Sequence, residues 1–322
     1  METMIANHLN IYLNHHDLLS NNQSGFRPKR STLDQLVRLD LDINCEINVR
    51  RNTSRHVIAV FLDLEKTFDL VWTKGLSSKL NQFCISGRLH RWISQFLTGC
   101  TLQVKLGKSY SLRHHLLNGT PQGSVISHLL FNLMVNNLSS FIPSRIQLSQ
   151  FADDSCIWLA GNPKLTYYIK KLQKGLDAVG RWADTWGFKL SSSKTRAILF
   201  SPCRLRSFSP PHLYLHGTPI TFTTHHCFLG LHFDRQLTWQ QHIRTIIQRC
   251  QKDLKLLYIL SNISGGGADQ HTLLLVYKAL IQSKLTMAHI FFIQQLTHYA
   301  LNWTPYNERP CYFIQAFFQL HL

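Results

Sequence analysis

Two adjacent aspartates, Asp153 and Asp154, lie inside the largely apolar stretch QFADDSCIWLAG (150–161). This stretch contains no Lys or Arg that could neutralise them. Two ionised carboxylates this close repel each other unless a cation lies between them. Ligands that offer only oxygen favour a hard divalent ion, Mg²⁺ or Mn²⁺, over zinc. Without further partners, a solvated Asp-Asp turn is the better explanation of the pair.

A second acidic site changes that balance. Asp63 ends the continuous apolar run HVIAVFLDL (56–64), and the loop that follows adds Glu65 and Asp69. Functional side chains are often found where a buried strand ends. A strand-end carboxylate that meets the Asp-Asp pair would form a cluster able to hold two metal ions about 3.5–4 Å apart. Such a cluster performs phosphoryl or nucleotidyl transfer. Asp69 is predicted to be structural rather than a metal ligand.

The segment NGTPQGSV (118–125) lies between these two acidic sites. Its Gly and Pro residues predict a tight turn, and Ser124 is the candidate N-cap of the helix that follows. Backbone N–H groups and the helix dipole favour phosphate at such a position. No G-K-[ST] follows, so the segment is not a Walker A loop. Alone, it is equally compatible with an ordinary helix-entry turn.

The overall composition indicates a globular protein with an acidic partner. The 322 residues are 44% hydrophobic and 16% charged, with a formal net charge of +17. Such an excess of Lys and Arg favours nucleic acid first and an anionic membrane second, although some basic proteins bind neither. The eight cysteines are scattered and form no C-x-x-C pair, which indicates reduced thiols in an intracellular protein rather than a zinc site.

The chain is not predicted to enter a membrane. The N-terminus METMIANHLNIYL lacks the basic start and the apolar core of a signal peptide. Residues 285–307 carry no Asp, Glu, Lys or Arg before Glu308, but their His, Asn and Gln residues indicate a buried helix rather than a membrane span. We therefore predict a nuclear or cytoplasmic protein.

The elements that must position the aspartates follow from hydrophobic periodicity. The run at 56–64 predicts a strand buried on both faces. Short strands, RIQLSQ and SCIWLA, flank the Asp-Asp pair and predict a hairpin with the pair at its tip. Helices are expected over residues 1–20, 33–49, 76–98, 124–141 and 164–186, a strand over 194–201, and hairpins near 101–120 and 210–234.

Taken in order, these segments resemble the motifs of reverse transcriptases from non-LTR retrotransposons, especially the jockey-like LINE group. The five matching motifs are FLDLEKTFDLVW (61–72), NGTPQGSVISHLLFNLMVNNL (118–138), QFADDSCIWLAG (150–161), WADTWGFKLSSSKTRAILFS (182–201) and HHCFLGLHFDRQLTWQQHI (225–243). QSGFRPKRST (23–32) resembles an element of the fingers, and LLLVYKALIQSKL (273–285) resembles a helix of the thumb.

The resemblance implies an α+β right-hand polymerase. Residues 1–235 would form partial fingers and a palm, in which an antiparallel sheet packs on helices. Residues 236–322 would form a helical, thumb-like region. The implied activity is RNA-directed DNA polymerisation by two-metal nucleotidyl transfer with Mg²⁺ or Mn²⁺, and the implied partners are an RNA template, a DNA primer and dNTPs.

The resemblance also assigns roles to individual residues. The catalytic, metal-binding residues would be Asp63, Asp153 and Asp154. Those at the incoming dNTP would be Phe68, Gln122, Gly123 and Lys194, with Phe68 excluding a ribose 2′-hydroxyl and Lys194 donating a proton to pyrophosphate. Those that contact nucleic acid would be Arg27, Lys29 and Arg30 on the template side and Phe228, Leu229 and Gly230 at the primer.

The chain departs from the family pattern in several places. Thr67 stands where the family usually has Ala, and His128 where it usually has Pro. Thr286, Met287 and Ala288 replace an Asp-Tyr-Gly segment. The fingers residues that normally precede this region in the family have no counterpart, so we expect an N-terminally truncated open reading frame of a transposon copy.

Three hypotheses follow. In the first, the chain is an RNA-directed DNA polymerase. In the second, it is a catalytically silent relic that retains only nucleic-acid binding, which its positive charge provides through contacts with phosphates. In the third, it is an RNA-templated RNA polymerase, which the bulk of Phe68 disfavours.

Overall fold

The computed structural model describes residues 1–48, 56–161, 165–201, 212–261 and 266–286. The chain divides into two compact units, Met1–Leu237 and Thr238–Leu322. The first unit contains every residue predicted to act in catalysis or binding. The assignment of the two units as fingers with palm and as thumb stays a prediction. The helix expected over residues 285–307 lies almost wholly outside the described residues.

The first unit begins with helices and has further helices between its strands. They are α1 (Glu2–His15), α2 (Thr32–Asn48), α3 (Thr73–Gln82), α4 (Gly87–Leu97), α5 (Ser127–Val135), α6 (Leu138–Phe141) and α7 (Leu165–Trp186). In the part of the chain that the structure describes, no helix is long and apolar enough to cross a membrane.

The strands of the first unit form one central sheet and several short ribbons. They are β1 (His56–Leu62), β2 (Leu64–Glu65), β3 (Thr101–Leu102), β4 (Lys105–Leu106), β5 (Ser109–Tyr110), β6 (His114–His115), β7 (Gln147–Phe151), β8 (Asp154–Gly161), β9 (Lys189–Leu190), β10 (Arg196–Phe200), β11 (Tyr214–Leu215), β12 (Thr218–Pro219), β13 (Thr221–Phe222), β14 (His225–Phe228) and β15 (Leu231–Asp234).

The central sheet has the strand order β13-β10-β1-β8-β7. All its pairings are antiparallel except that of β10 with β13. Strand β1 lies in the middle and all seven of its residues are buried, which explains its unbroken apolar sequence. Helix α2 packs on β1 and β7, and α7 packs on β8. This mixture of helices and a mainly antiparallel sheet is the α+β class that the sequence predicts.

Two of the expected helices are interrupted. The helix expected over 76–98 is divided into α3 and α4, because Cys84 (φ 58°) and Gly87 (φ 70°) adopt left-handed backbone conformations between them. The helix expected over 124–141 begins only at Ser127, with Ile126 at the N-cap, and it is divided into α5 and α6. The Ser124 hydroxyl instead donates a hydrogen bond to the Glu2 carboxylate (2.8 Å), so this serine joins α1 to the turn and does not cap α5.

The second unit is helical where it is described. It contains α8 (Gln240–Leu260), α9 (Gln270–Tyr277) and a π-helical turn, Lys278–Gln282. Its buried core is formed by Ile246, Cys250 and Ile281. Asp269 caps α9 by accepting a hydrogen bond from the Thr272 N–H (2.9 Å).

Candidate active site

The register of the central sheet brings the three aspartates to one edge. Leu62, the last residue of β1, pairs with Ser155 of β8, so Asp63 follows at the position beside Asp154. Phe151 pairs with Asp154, which leaves Ala152 and Asp153 as the two-residue turn of the β7–β8 hairpin. The structure therefore places Asp153 in the turn and Asp154 at the first residue of β8, next to the end of β1.

The electrostatics of this edge are dominated by negative charge. The pKa of Asp154 is raised to about 6, chiefly by loss of hydration and then by the nearby carboxylates of Asp153 and Asp63. The Lys194 ammonium lies 3.6 Å from Asp63 Oδ2, and both side chains are solvent-exposed enough that water screens the pair. One lysine does not balance three carboxylates, so the edge retains excess negative charge.

Lys194 reaches this edge through backbone contacts. Strand β2 pairs with β9, with Leu64 opposite Leu190. The Ser191 N–H donates to the Asp63 carbonyl (2.8 Å), and the Asp63 N–H donates to Thr195 Oγ1 (3.5 Å). The segment that carries Lys194 is therefore joined to the segment that carries Asp63.

The donor set fits a hard divalent cation. The Asp63 side chain is 36% exposed, but its Oδ2 atom is buried and accepts no hydrogen bond from the described residues, with the Lys194 ammonium 3.6 Å away. The raised pKa of Asp154 means that its ionised form lacks a positive partner. Carboxylate oxygens in this state are the ligands that Mg²⁺ and Mn²⁺ prefer. Among the residues described, no three His, Cys, Asp or Glu side chains already converge on one metal position, so the predicted metal ligation stays a prediction.

Thr67 is a buried residue that the sequence identified only as a departure from the family pattern. Its hydroxyl donates a hydrogen bond to Asp153 Oδ2 at 3.2 Å. The loop after β1 thus holds one oxygen of the carboxylate in the hairpin turn. An alanine at position 67 could not make this contact.

The loop that contains Phe68 is also bonded to the turn at Thr120. The Thr120 N–H donates to the Phe68 carbonyl (2.9 Å), and the Gly119 N–H donates to the Val71 carbonyl (2.8 Å). Gln122 Nε2 donates to Asp69 Oδ1 at 2.9 Å. The predicted structural role of Asp69 agrees with this contact.

Phe68 is held by an aromatic cluster. Its ring centroid lies 5.1 Å from that of Phe131, 5.7 Å from that of His128 and 6.3 Å from that of Phe26. Gly123 has φ 90°, and an added Cβ would meet no atom within 4 Å. The structure therefore brings Phe68 and Gln122 to the same side of the site, with open space at Gly123.

The β7–β8 turn depends on Gln23, whose role the sequence does not reveal. Ala152 has φ 55°, a left-handed conformation that is unfavourable for alanine. Gln23 is only 1% exposed and accepts a hydrogen bond from the Ala152 N–H (3.0 Å). Its Nε2 donates to the Ala152 carbonyl (3.2 Å), and its Oε1 also accepts from the Gly25 N–H (2.8 Å). One glutamine thus satisfies both backbone groups of the strained residue beside Asp153.

Gly25 allows this close approach. A Cβ at Gly25 would lie 2.2 Å from the Ala152 backbone nitrogen, so only glycine fits there. The buried Asn132 of α5 donates to the Gly25 carbonyl (2.7 Å). The glycine in QSG (23–25) indicates a close backbone contact, but only the tertiary structure identifies the β7–β8 turn as the segment that it contacts.

The three basic residues after Gly25 differ in their surroundings. Arg27 donates to the carbonyls of Ser20 (2.8 Å) and Gln23 (3.3 Å), and partial burial, followed by the nearby Arg30, lowers its pKa. Arg30 donates to Asn21 Oδ1 (3.2 Å), and Lys29 is exposed with φ 61°. Their predicted contacts with a template stay predictions.

The predicted primer hairpin is present as β14 and β15. Leu229 (φ 48°) and Gly230 (φ 84°) form its two-residue turn, with the pair of positive φ angles typical of a type I′ hairpin. Phe228 is only 4% exposed, and its ring lies 5.2 Å from that of Phe61 on β1. Phe228 therefore anchors the hairpin, while Leu229 and Gly230 are at its tip.

The sequence matches the family described as reverse transcriptase (RNA-dependent DNA polymerase) over residues 1–249. It is 28% identical over 270 residues to a probable RNA-directed DNA polymerase from transposon BS of Drosophila melanogaster, covering 81% of this chain and 29% of that protein. It is 27% identical over 254 residues to the RNA-directed DNA polymerase from mobile element jockey of the same organism, covering 77% of this chain and 27% of that protein. The chain thus spans under a third of the length of these relatives.

Solved structures with a similar fold include telomerases. Telomerase from Candida tropicalis, in complex with a TWJ fragment of telomeric RNA, matches with a TM-score of 0.52 and 11% identity, over 93% of this chain and 47% of that chain. Telomerase from Candida albicans, also with a TWJ fragment, matches with a TM-score of 0.50 and 12% identity, over 96% of this chain and 50% of that chain. At these identities the likeness concerns the fold alone, and it confirms the predicted right-hand polymerase architecture.

The ordered motifs, the clustered aspartates and the match over residues 1–249 agree with one another. The predicted relationship to jockey-like non-LTR elements is confirmed by the relatives. The chain belongs to the reverse transcriptase (RNA-dependent DNA polymerase) family.

Proposed function

We propose that this chain carries the nucleotidyl-transfer site of an RNA-directed DNA polymerase, which adds dNTPs to the 3′-hydroxyl of a primer paired with an RNA template. The observation that carries the proposal is the meeting of Asp63 with Asp153 and Asp154 at one edge of the central sheet. Membership of the family supports it, because reverse transcriptases generally use divalent metal ions.

The three aspartates would act as the metal ligands. Asp63, Asp153 and Asp154 would hold two Mg²⁺ or Mn²⁺ ions, which when bound supply activation of the primer 3′-hydroxyl and neutralisation of the leaving oxygen. Thr67 would keep the Asp153 carboxylate oriented through its hydrogen bond. Asp63 Oδ2 accepts no hydrogen bond from the described residues, and the Lys194 ammonium 3.6 Å from it belongs to a side chain that is 70% exposed, so a metal ion could replace that ammonium.

The residues around Phe68 would select the nucleotide. The Phe68 ring is supported from behind by Phe131, so it can resist the extra volume of a 2′-hydroxyl. Gln122 is oriented by Asp69, and the space at Gly123 would let the triphosphate approach the backbone. Lys194 is 70% exposed, so its ammonium can leave Asp63 and donate a proton to the departing pyrophosphate.

The proposed nucleic-acid contacts follow from charge and position. The net charge of +17 favours a polyanion. Arg27, Lys29 and Arg30 would contact the template strand, and the tip formed by Leu229 and Gly230 would contact the primer. The RNA template, the DNA primer and the dNTPs are the partners that this arrangement requires.

Extension of oligo(dT) on poly(rA) by the purified chain tests the proposal. We expect incorporation of dTTP that depends on Mg²⁺ or Mn²⁺. RNA binding without any incorporation, in either metal, would contradict the proposal and would favour the silent relic. Incorporation of rNTPs as fast as dNTPs would instead indicate an RNA polymerase.

A further inference from the structure

A ribbon of short strands, residues 101–115, extends from the first unit with every residue exposed. We call it the basic hairpin. Strand β3 pairs with β6, with Leu102 opposite His114, and β4 pairs with β5, with Lys105 opposite Tyr110. None of the residues assigned above to catalysis or binding lies on this hairpin.

The two faces of the basic hairpin differ. Because side chains alternate along a strand, Leu106 lies on the face opposite Lys105. Leu102, Val104 and Leu106 are 53%, 62% and 83% exposed. The opposite face carries Lys105 and Tyr110, with the Lys105 ammonium 5.4 Å from the centre of the Tyr110 ring. Tyr110 is 59% exposed, so its ring is available for stacking.

The charge of the surrounding sequence has one sign. Residues 70–152 contain eight Lys and Arg residues and no Asp or Glu. Lys105, Lys108 and Arg113 of this set are on the basic hairpin, and all three are exposed. The ion pairs found among the described residues include none of these three, so their charges are available to an external anion.

These features together indicate the chemistry of the ligand. Protein–protein interfaces are depleted in Lys, whereas nucleic-acid surfaces combine Lys and Arg with exposed aromatic rings on which bases stack. Unpaired bases expose the faces that stack on such rings, whereas a duplex hides those faces within its base stack. We propose that the basic hairpin is a binding site for single-stranded RNA, with Lys105, Lys108 and Arg113 contacting phosphates and Tyr110 stacking on a base.

The inference rests on the proposed function only in taking RNA as the ligand, and it adds a contact outside the polymerase site. The two can fail separately, because RNA binding is measured without dNTPs and without a primer. Loss of incorporation would leave hairpin binding unaffected, and loss of hairpin binding would leave the aspartates in place.

The test uses fluorescence anisotropy with labelled oligo(U) over a range of salt concentrations. The variant Lys105→Gln/Lys108→Gln/Arg113→Gln removes three cations from the hairpin. The matched control, Lys170→Gln/Lys171→Gln/Lys174→Gln, removes three cations from α7. We expect the slope of log K against log[salt] to become shallower by about 2 in the hairpin variant, with binding up to about 100-fold weaker at 0.1 M salt. The control should retain the wild-type slope.

The contribution of Tyr110 is tested in the same assay. Tyr110→Ala should weaken binding by about fivefold or more, and Tyr110→Phe should bind as wild type because the ring is kept.

Equal slopes in the hairpin variant and the α7 control would overturn the inference, since only total charge would then matter. Wild-type RNA binding by the hairpin variant, accompanied by loss of self-association or of another protein contact, would also overturn it. Unchanged melting temperatures would exclude unfolding as the cause.

Discussion

Gln23 provides the sharpest test of how the β7–β8 turn is held in place. Replacement by Met keeps the volume of the side chain and removes its three hydrogen bonds, two with Ala152 and one with Gly25. Two backbone N–H groups and one carbonyl then lose their partner in a buried site. Since each of these three groups costs roughly 1–3 kcal/mol, we expect Gln23→Met to lower the free energy of unfolding by about 3 kcal/mol or more.

A neighbouring glutamine supplies the matched control. Gln150 is also 1% exposed, but its Oε1 accepts no hydrogen bond from the described residues. Gln150→Met removes a buried amide whose oxygen has no such partner, so we expect a change below about 1 kcal/mol, or a slight gain in stability.

Urea unfolding of the two variants, with primer extension measured in parallel, checks this reasoning. Gln23→Met should shift the urea midpoint downward and lower the extension rate, because the turn that carries Asp153 is no longer fixed. If Gln23→Met has the midpoint of Gln150→Met and the rate of wild type, Gln23 does not support the site.

Three further predictions concern single residues. Phe68→Ala should raise incorporation of rNTPs relative to dNTPs, and an unchanged ratio in a competition assay would mean that Phe68 does not select the sugar. Asp69→Ala should raise KM for dNTPs more than it changes kcat, whereas Asp69→Asn, which keeps an oxygen for Gln122, should stay near wild type; equal KM values in the two variants would contradict the positioning role. Burial raises the pKa of Asp40 to about 7, while its hydrogen bond from Asn44 acts in the opposite direction. The folded protein therefore binds this proton more tightly than the unfolded chain, and stability falls as pH rises from about 4 to about 7. Asp40→Asn should consequently stabilise the protein by a few kcal/mol at pH 8 and much less at pH 4, as measured by urea unfolding; the expected size is about 1.4 kcal/mol for each pH unit between the folded and unfolded pKa values. An equal effect at both pH values would contradict the raised pKa of Asp40.

The strands around the aspartates were predictable because their sequence signals are local. An apolar run such as β1 reports burial on both faces. Two short strands around Ala152 and Asp153 predict a hairpin, and the structure has that hairpin with the expected turn. The positions of the metal-binding candidates follow directly from these elements.

The parts that could not be predicted depend on contacts distant in sequence. Gln23 is far along the chain from Ala152, and nothing around QSG identifies the turn that it supports. Ser124 has the residue type of an N-cap, yet its hydroxyl finds Glu2 on α1, and the helix starts later. Thr67 differs from the family pattern, but only the structure reveals its hydrogen bond to Asp153. Local preference was overridden by tertiary partners in each case.

The most direct test of the central claim is primer extension by Asp63→Asn, Asp153→Asn and Asp154→Asn, each compared with wild type on poly(rA)/oligo(dT). Asparagine keeps the size of each side chain and removes the charge that a divalent ion requires. We predict that wild type extends the primer and that each variant binds oligo(U) normally but incorporates no dTTP in Mg²⁺ or Mn²⁺. Extension at the wild-type rate by the Asp153→Asn protein would contradict the assignment of these carboxylates as the catalytic site.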